Sequence, residues 1–190
     1  MRYFIGYDPA RKDIFDYCTR TVDVPHEKIG ASVLNNWYRK RNLTDSTEFS
    51  VCRFLVPLLS DYQGWSLYFD DDFYWRVSPR ELEQYQDPEC AVMVVKHDYV
   101  PKNLIKYENL NQLKYERKNW SSLMLFNNSH PDCQKLTDDR VQQGVALDLH
   151  QFKWTDKVGS LPKEYNFLVG EYEGEETAKA LHYTNGLCIE

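Results

Sequence analysis

A short apolar segment that runs directly into three carboxylates carries the clearest chemistry in this sequence. The segment is Trp65-Ser66-Leu67-Tyr68-Phe69, and Asp70-Asp71-Asp72 follows it with no turn residue in between. A near-continuous apolar run of this length is typical of a central strand that is covered on both faces. Ligands of α/β sheets bind in the crevice outside the carboxyl ends of the strands. The three carboxylates are therefore predicted to lie where such a sheet binds its ligand.

Asp70 and Asp72 are predicted to point to one side of the strand and Asp71 to the other, because side chains alternate along a strand. Two carboxylates about 4 Å apart repel each other by roughly 4 kcal/mol at an effective dielectric constant of about 20. A cation between them would offset this repulsion. Oxygen ligands favour Mg²⁺ or Mn²⁺ over Zn²⁺. From these residues alone the alternative, a solvated acidic turn, stays open.

Other predicted strands also end in polar residues. The first stops at a proline, which has no N–H to give to a ladder, and residues 13–22 after it have apolar side chains at helical spacing. Strand, turn and helix in this order are typical of the start of a nucleotide-binding α/β unit. The predicted strands are Arg2 to Tyr7, followed by Asp8-Pro9; a segment near Ile29 to Leu34; Ala91 to Val95, followed by Lys96-His97-Asp98; and Ser122 to Phe126, followed by Asn127-Asn128.

Helices are predicted where capping patterns precede apolar periodicity. Asp45 stands three residues before Glu48, and Ser78-Pro79-Arg80-Glu81 forms a second capping box with proline at the first helical position. Residues 130–146 are predicted to form two helical pieces that break near Thr137. Residues 99–119 are a long polar and basic connection, and residues 147–190 are predicted to be irregular. The pattern indicates one α/β domain.

Composition limits the classes of function. The chain has 190 residues, 42% of them hydrophobic and 15% aromatic, which suits a single globular domain. Its 23 basic and 29 acidic residues give a net charge of −6, so nothing indicates general attraction to nucleic acid or to an anionic membrane. No apolar run approaches the ~18 residues of a membrane span. Five scattered cysteines with no C-x-x-C pair indicate reduced thiols, and the absence of a signal-peptide pattern at Met1 leads us to expect a cytoplasmic protein.

Taken together, several sequence blocks resemble those of small GT-A-fold glycosyltransferases. The resemblance is greatest to the glycogenin-like, family-8-like group, including its small bacterial and large-DNA-virus members. It implies a single Rossmann-like GT-A domain over residues 1–190, with a mixed, mostly parallel sheet flanked by helices. The blocks that carry it are Ser46-Thr47-Glu48-Phe49-Ser50 with Arg53-Phe54, Phe69-Asp70-Asp71-Asp72, Val94-Val95-Lys96-His97-Asp98-Tyr99, Arg117-Lys118-Asn119-Trp120-Ser121-Ser122, and Leu181-His182-Tyr183-Thr184.

The same resemblance implies a reaction. The donor would be a UDP-sugar, the cofactor Mn²⁺ (or Mg²⁺), and the acceptor a glycan or glycoprotein, with retention of the anomeric configuration. By motif, Asp70, Asp72 and His182 would be the metal ligands. The resemblance also implies residues that bind the donor. Tyr7 and Asp8 would bind the uracil and ribose, Trp120, Ser121 and Ser122 would line the sugar pocket, and Asp70, Asp71 and Arg53 would also contact the donor. Asp156 and Arg53 would be the catalytic candidates.

These residue types suit the implied chemistry. Breaking the bond between a sugar and a diphosphate builds negative charge on the leaving oxygen, which a divalent cation offsets as a Lewis acid. A carboxylate near the sugar, with Asp156 as the candidate, would stabilise the cationic sugar, as in glycoside hydrolysis. Each residue also has a simpler interpretation: His182 as a partly buried structural histidine, Arg53 as a surface ion-pair partner and Trp120 as a core residue.

Three departures from the group are visible. Lys157 follows Asp156 where glutamine is common. The late histidine is usually followed by a glycine and a basic residue that binds diphosphate, but here the chain continues with Thr184-Asn185-Gly186-Leu187-Cys188-Ile189-Glu190. The diphosphate lysine is therefore either missing or supplied elsewhere, and Arg53 or a lysine between residues 96 and 118 could assist. The length of 190 residues is also short for the group, which suggests a fragment of a longer chain. Two other functions stay open. One is a non-catalytic module that binds a nucleotide sugar or glycan, and the other is a sugar-1-phosphate nucleotidyltransferase, whose glycine-rich loop has only Gly6 as a counterpart.

Overall fold

The computed structural model describes residues 1–41, 45–98 and 116–187. In these ranges the chain forms a six-stranded sheet and a three-stranded sheet. The strands are β1 Arg2–Gly6, β2 Glu27–Ile29, β3 Trp65–Phe69, β4 Phe73–Trp75, β5 Val92–Val94, β6 Leu123–Asn127, β7 Val158–Ser160, β8 Phe167–Leu168 and β9 Ala180–His182. The α-helices are α1 Lys12–Thr19, α2 Phe49–Cys52, α3 Val56–Leu59, α4 Asp138–Gln143 and α5 Ala146–His150. Short 3-10 helices occupy Pro9–Arg11, Ala31–Val33, Arg53–Leu55, Pro79–Tyr85, Trp120–Ser122, Cys133–Lys135, Lys163–Asn166 and Glu175–Thr177.

The large sheet has the strand order β2-β1-β3-β6-β5-β7. β1 is parallel to β2 and β3, and β7 is parallel to β5, whereas β6 is antiparallel to both of its neighbours. Three of the five pairings are therefore parallel. This arrangement confirms the predicted α/β class with a mixed, mostly parallel sheet.

β3 lies inside this sheet and is covered on both faces, as its apolar sequence predicts. Tyr68 joins one apolar cluster with Phe49, while Leu67 and Phe69 join the cluster on the opposite face with Phe15. Each of these side chains is at most 3% exposed. Burying one large apolar side chain stabilises a fold by roughly 1.5–3 kcal/mol, so the two clusters hold the carboxyl end of β3 firmly in place.

The small sheet has the order β4-β9-β8 and carries the far end of the chain back to the acidic residues. β4 begins one residue after Asp72 and is antiparallel to β9, with Phe73 opposite His182. The N–H of Tyr183 also donates to the carbonyl of Asp72 at 3.2 Å. This pairing is the physical reason that residues 110 positions apart in the sequence share one site.

One predicted helix start is confirmed, the predicted break near Thr137 is confirmed, and a second predicted helix start is wrong. Ser78 accepts a hydrogen bond from the N–H of Arg80 at the start of the 3-10 helix Pro79–Tyr85, and Thr137 caps α4 in the same way. Asp45 does not cap a helix, because α2 begins only at Phe49. The N–H of Glu48 instead donates to the carboxylate of Asp8.

Two strand predictions also need correction. The second strand ends at Ile29 and gives way to a 3-10 helix at Ala31–Val33. The residue between them must be glycine, because a Cβ on Gly30 would collide with the carbonyl oxygen of Tyr7. The segment expected to be irregular contains β7, β8 and β9, which are too short for sequence periodicity to show. Most of the predicted 99–119 connection, residues 99–115, lies outside the described residues.

Within the described ranges, no helix is long and apolar enough to cross a bilayer. Cys18, Cys52, Cys90 and Cys133 are free thiols, and Cys188 lies outside the described residues.

Candidate metal centre and donor site

Asp70, Asp72 and His182 come together at the carboxyl end of β3. One potential ligand atom from each lies within 4.8 Å of those of the other two. The backbone N–H of Asp70 donates to the carbonyl of Ser122 at 3.0 Å, which fixes where the chain leaves β3. The imidazole of His182 stacks on the ring of Phe73, with centroids 4.6 Å apart, and its Nε2 is 3.4 Å from Asp72 Oδ1. The geometry brings together the three predicted metal ligands.

The carboxylates of this cluster are held in an environment that disfavours their charge. Burial raises the pKa of Asp70 to about 6, with Arg53 acting against the shift and Asp72 adding to it. Burial and the neighbouring charge of Asp72 raise the pKa of Asp71 well above its usual range. A divalent cation would relieve this like-charge repulsion, and two carboxylates with one imidazole are a donor set that fits one.

Arg53 contacts the cluster directly, and its predicted donor-binding and catalytic roles stay predictions. It lies in the 3-10 helix that follows α2 and is only 6% exposed. Its Nη1 is 2.9 Å from Asp70 Oδ1 and 2.9 Å from the carbonyl oxygen of Ser121. Tyr68 donates to the same Asp70 oxygen at 2.7 Å. The simpler interpretation of Arg53, a surface ion pair, is therefore wrong, because its partner is a buried carboxylate of the cluster.

Arg11 also belongs to the site, although the sequence did not predict it. Its Nε and Nη2 donate to the two oxygens of Asp71 at 2.9 and 2.8 Å, and Nη2 also donates to Asp72 Oδ2 at 3.0 Å. A fork-to-fork pair of this kind fixes geometry as well as charge. The available signal was that Arg11 follows β1, whose carboxyl end meets that of a parallel β3.

Asp8 and Tyr7 lie at the carboxyl end of β1, where the donor base and ribose were predicted to bind. Asp8 is buried and accepts hydrogen bonds from the N–H groups of Ala10 and Glu48, both at 3.0 Å. Tyr7 packs edge-on against Phe15 at 5.1 Å. Asp8 thus joins the loop that carries Arg11 to the segment before α2, and the donor-binding roles of Asp8 and Tyr7 stay predictions.

Trp120, Ser121 and Ser122 are all engaged with other protein groups. Trp120 donates from Nε1 to the carbonyl of His97 at 2.9 Å, and Ser121 Oγ is 2.7 Å from His150 Nδ1. Ser122 Oγ donates to a backbone carbonyl at 2.7 Å. These contacts support the backbone beside Asp70. The sugar-pocket roles of Trp120, Ser121 and Ser122 stay predictions.

The structure does not bring Asp156 to the cluster. The carbonyl of Lys157, the next residue, accepts from the N–H of Ala91 at the amino end of β5. The carbonyl of Ala91 in turn accepts from the N–H of Asn127, which is paired with Trp65 at the start of β3. Asp156 is exposed at that end of the sheet, a strand length of about 13 Å from the end that carries Asp70. The catalytic role of Asp156 stays a prediction, and its place at this end of the sheet does not support that role.

His97 lies at the carboxyl end of β5 and is 7% exposed. Its Nδ1 is 2.8 Å from the hydroxyl of Tyr172. Burial, reinforced by the neighbouring His182, lowers the pKa of His97 to about 3, so its imidazole is neutral. His97 therefore places a neutral imidazole near His182 of the cluster.

Solved glycosyltransferases share this fold. The glycosyltransferase GlyE of Streptococcus pneumoniae TIGR4 is 14% identical with a TM-score of 0.53, over 96% of this chain and 54% of GlyE. The galactosyltransferase LgtC, solved in complex with donor and acceptor sugar analogs, is 13% identical with a TM-score of 0.52, over 96% of this chain and 87% of LgtC. The chain thus spans about half the length of GlyE, and at these identities the likeness establishes a GT-A fold.

No protein-family profile matches the sequence. A curated relative does match: Protein CDI of Arabidopsis thaliana is 39% identical over 202 aligned residues, which cover 98% of this chain and 78% of that protein. Identity at this level over nearly the whole chain implies common descent. The chain therefore belongs to the family of Protein CDI.

Proposed function

We propose that this chain is a metal-dependent glycosyltransferase that moves a sugar from a nucleoside-diphosphate sugar to a glycan or glycoprotein. The proposed donor is a UDP-sugar, the cofactor Mn²⁺ or Mg²⁺, and the outcome retention of the anomeric configuration. One observation carries the proposal: Asp70, Asp72 and His182 offer ligand atoms within 4.8 Å of one another at the carboxyl edge of a GT-A sheet. That edge is where α/β sheets bind their ligands.

The charges of the cluster suit an anionic leaving group. Three aspartates face two arginines, Arg11 and Arg53, so the ionised cluster carries one net negative charge. A bound divalent cation would bring the total to one net positive charge and would stabilise the negative charge that develops on the diphosphate. The two arginines meanwhile hold the carboxylates in place through charge-assisted hydrogen bonds. The site would then attract a diphosphate only in its loaded form.

A turnover assay tests this proposal. The chain is incubated with a panel of UDP-sugars, and UDP release is measured with Mn²⁺ and with EDTA. We expect release that needs the metal and that falls at least about 100-fold in Asp72→Ala, because one preorganised charge-stabilising contact is worth roughly that factor. Asp16→Ala, which removes an exposed carboxylate paired with Lys12 on α1, is the matched control and should keep full activity. Undiminished release in EDTA, or in Asp72→Ala, would contradict the proposal.

A second candidate is a module that binds a nucleotide sugar without transferring it. The position of Asp156 favours it, since the carboxylate predicted to stabilise the sugar cation lies at the other end of the sheet. A thermal-shift screen of nucleotide sugars with and without Mn²⁺ separates the two, because a ligand that binds the folded state raises its apparent stability. A metal-dependent shift without UDP release would support the binding module.

A further inference from the structure

We propose that Asn166 is a positioning residue which, together with Ser122, holds the imidazole proton of His182 on Nδ1 and thereby directs Nε2 at the cation. The proposal rests on the metal site of the proposed function. It adds two residues to that site, which until now consisted of the three ligands and two arginines.

The direction of each hydrogen bond follows from the one before it. Ser122 has a single hydroxyl proton, which it donates to the backbone carbonyl of Asn119 at 2.7 Å. Ser122 Oγ must therefore accept from Asn166, whose Nδ2 is 2.9 Å away. The amide of Asn166 is thus oriented with Oδ1 toward His182, 2.9 Å from Nδ1.

An amide oxygen only accepts hydrogen bonds, so Nδ1 of His182 must carry a proton. In a neutral imidazole the other nitrogen, Nε2, then presents its lone pair. Nε2 faces Asp72 Oδ1 at 3.4 Å. When the imidazole of His182 is neutral, its Nε2 lone pair and the Asp72 carboxylate repel each other at this separation. A cation between them would be bound by both groups. Metal-bound histidines generally donate their other N–H to a protein acceptor in this manner.

The position of Asn166 in the fold supports the same role. Asn166 is fully buried at the end of the 3-10 helix Lys163–Asn166, directly before β8. β8 is parallel to β9, with Leu168 opposite His182. The carbonyl of Ser122 also accepts from the N–H of Asp70. The 3-10 helix at Ser122 therefore anchors two of the three ligands, Asp70 through the backbone and His182 through Asn166.

Packing alone does not explain an amide at this position. Burying an amide costs free energy unless its hydrogen bonds are made, and a leucine of similar volume would avoid that cost. Both polar atoms of the Asn166 side chain form hydrogen bonds within the site, Nδ2 to Ser122 and Oδ1 to His182. The amide is therefore better explained by what it does to His182 than by the space it fills.

Mn²⁺ alone is the probe for the test. Affinity is measured from the electron paramagnetic resonance signal of unbound Mn²⁺ during a titration, and the proton position in metal-free protein at pH 8 from the ¹⁵N resonances of the His182 ring. In the unaltered chain we expect the proton on Nδ1. In Asn166→Leu we expect it on Nε2, where Asp72 accepts it, and a Mn²⁺ affinity about 10- to 100-fold lower. Asn166→Asp keeps an acceptor oxygen and should stay within about threefold of the unaltered chain in affinity.

Asn128→Leu is the matched control. Asn128 is another fully buried amide that donates to a serine hydroxyl, that of Ser66, but it lies near the opposite end of β3. Its loss should lower thermal stability and leave both readouts at His182 unchanged. The role of Asn166 is overturned if Asn166→Leu keeps the Nδ1 proton and the Mn²⁺ affinity, or if Asn128→Leu lowers the affinity as much. Neither readout involves a sugar nucleotide, so the role of Asn166 can be confirmed even if the chain transfers no sugar.

Discussion

At the scale of residues, the site contains three largely buried carboxylates, and burial disfavours their ionised form unless positive charge lies nearby. Arg53 is paired with Asp70, and Arg11 is paired with Asp71 and Asp72. Removing one partner of a buried ion pair leaves the other charge buried and uncompensated, which costs far more than losing an exposed pair. The two arginines are therefore part of the stability of the fold as well as of the site.

Arg53→Met tests this dependence. The variant keeps most of the apolar length of the side chain but leaves Asp70 without its guanidinium partner, so we expect the free energy of unfolding to fall by about 3–5 kcal/mol. Urea denaturation at pH 7.5 in EDTA measures the change. Arg76→Met removes the exposed pair with Glu175 and should cost no more than about 1 kcal/mol. Equal costs for the two variants would show that Asp70 does not depend on Arg53.

His150, which lies next to Ser121, makes the free energy of unfolding depend on pH. Burial, together with the charges of Arg53 and Arg39, lowers the pKa of His150 to about 3. The unfolded chain binds a proton near pH 6.5, so the stability contributed by this group is complete above pH 6.5 and is lost as the pH falls toward 3. Each unit of pH below 6.5 removes up to about 1.4 kcal/mol through this group.

The comparison with His150→Asn isolates this effect. Asparagine keeps a polar atom near Ser121 but takes up no proton, so the free energy of unfolding should fall less steeply between pH 6.5 and 4.5 than in the unaltered chain. Urea denaturation at a series of pH values gives both slopes. Parallel pH profiles would contradict the proton linkage assigned to His150.

At the scale of elements, the backbone directly after β1 lies very close to the backbone directly after β2. Gly30 permits this, since its backbone passes directly beside the carbonyl of Tyr7. Gly30→Ala forces a Cβ into that carbonyl and should lower the free energy of unfolding by about 1–3 kcal/mol.

The neighbouring exposed side chain provides the control for Gly30→Ala. Val33 is 41% exposed, and Val33→Ala should change stability by less than about 0.5 kcal/mol. Thermal denaturation monitored by circular dichroism compares the two variants. A Gly30→Ala variant as stable as Val33→Ala would show that the close approach at Tyr7 is not required.

The elements also show what the sequence could and could not predict. β3, β5 and β6 have apolar runs long enough to be recognised, and Asp70 and Asp72 follow from the end of the first run. His182 was reached only through the family resemblance, because its place depends on the pairing of β4 with β9. Arg11 and Asn166 reach the cluster through contacts between distant segments, which local patterns do not contain. Asp156 also came only from the family resemblance, because the three-residue β7 beside it shows no periodicity that would place it in the fold.

At the scale of the whole molecule, two sheets meet at one point. The large sheet supplies Asp70 from β3 and Arg11 from the loop after β1, and the small sheet supplies His182 from β9. The GT-A fold and the family of Protein CDI place this chain among proteins built on the same scaffold. Whether that scaffold binds a cation at the junction of the sheets decides the functional account.

Pulsed electron paramagnetic resonance of Mn²⁺ bound to the full chain measures this most directly. We expect one tightly bound Mn²⁺ whose spin couples to a single histidine nitrogen, with that coupling lost in His182→Gln and the tight site lost in Asp72→Asn. The imidazole of His182 and the carboxylates of Asp70 and Asp72 offer ligand atoms to one common point. The nitrogen coupling should therefore depend on His182, and tight Mn²⁺ binding should depend on Asp72. Bound Mn²⁺ with no nitrogen coupling in the unaltered chain, or with a coupling that survives in His182→Gln, would contradict this metal site.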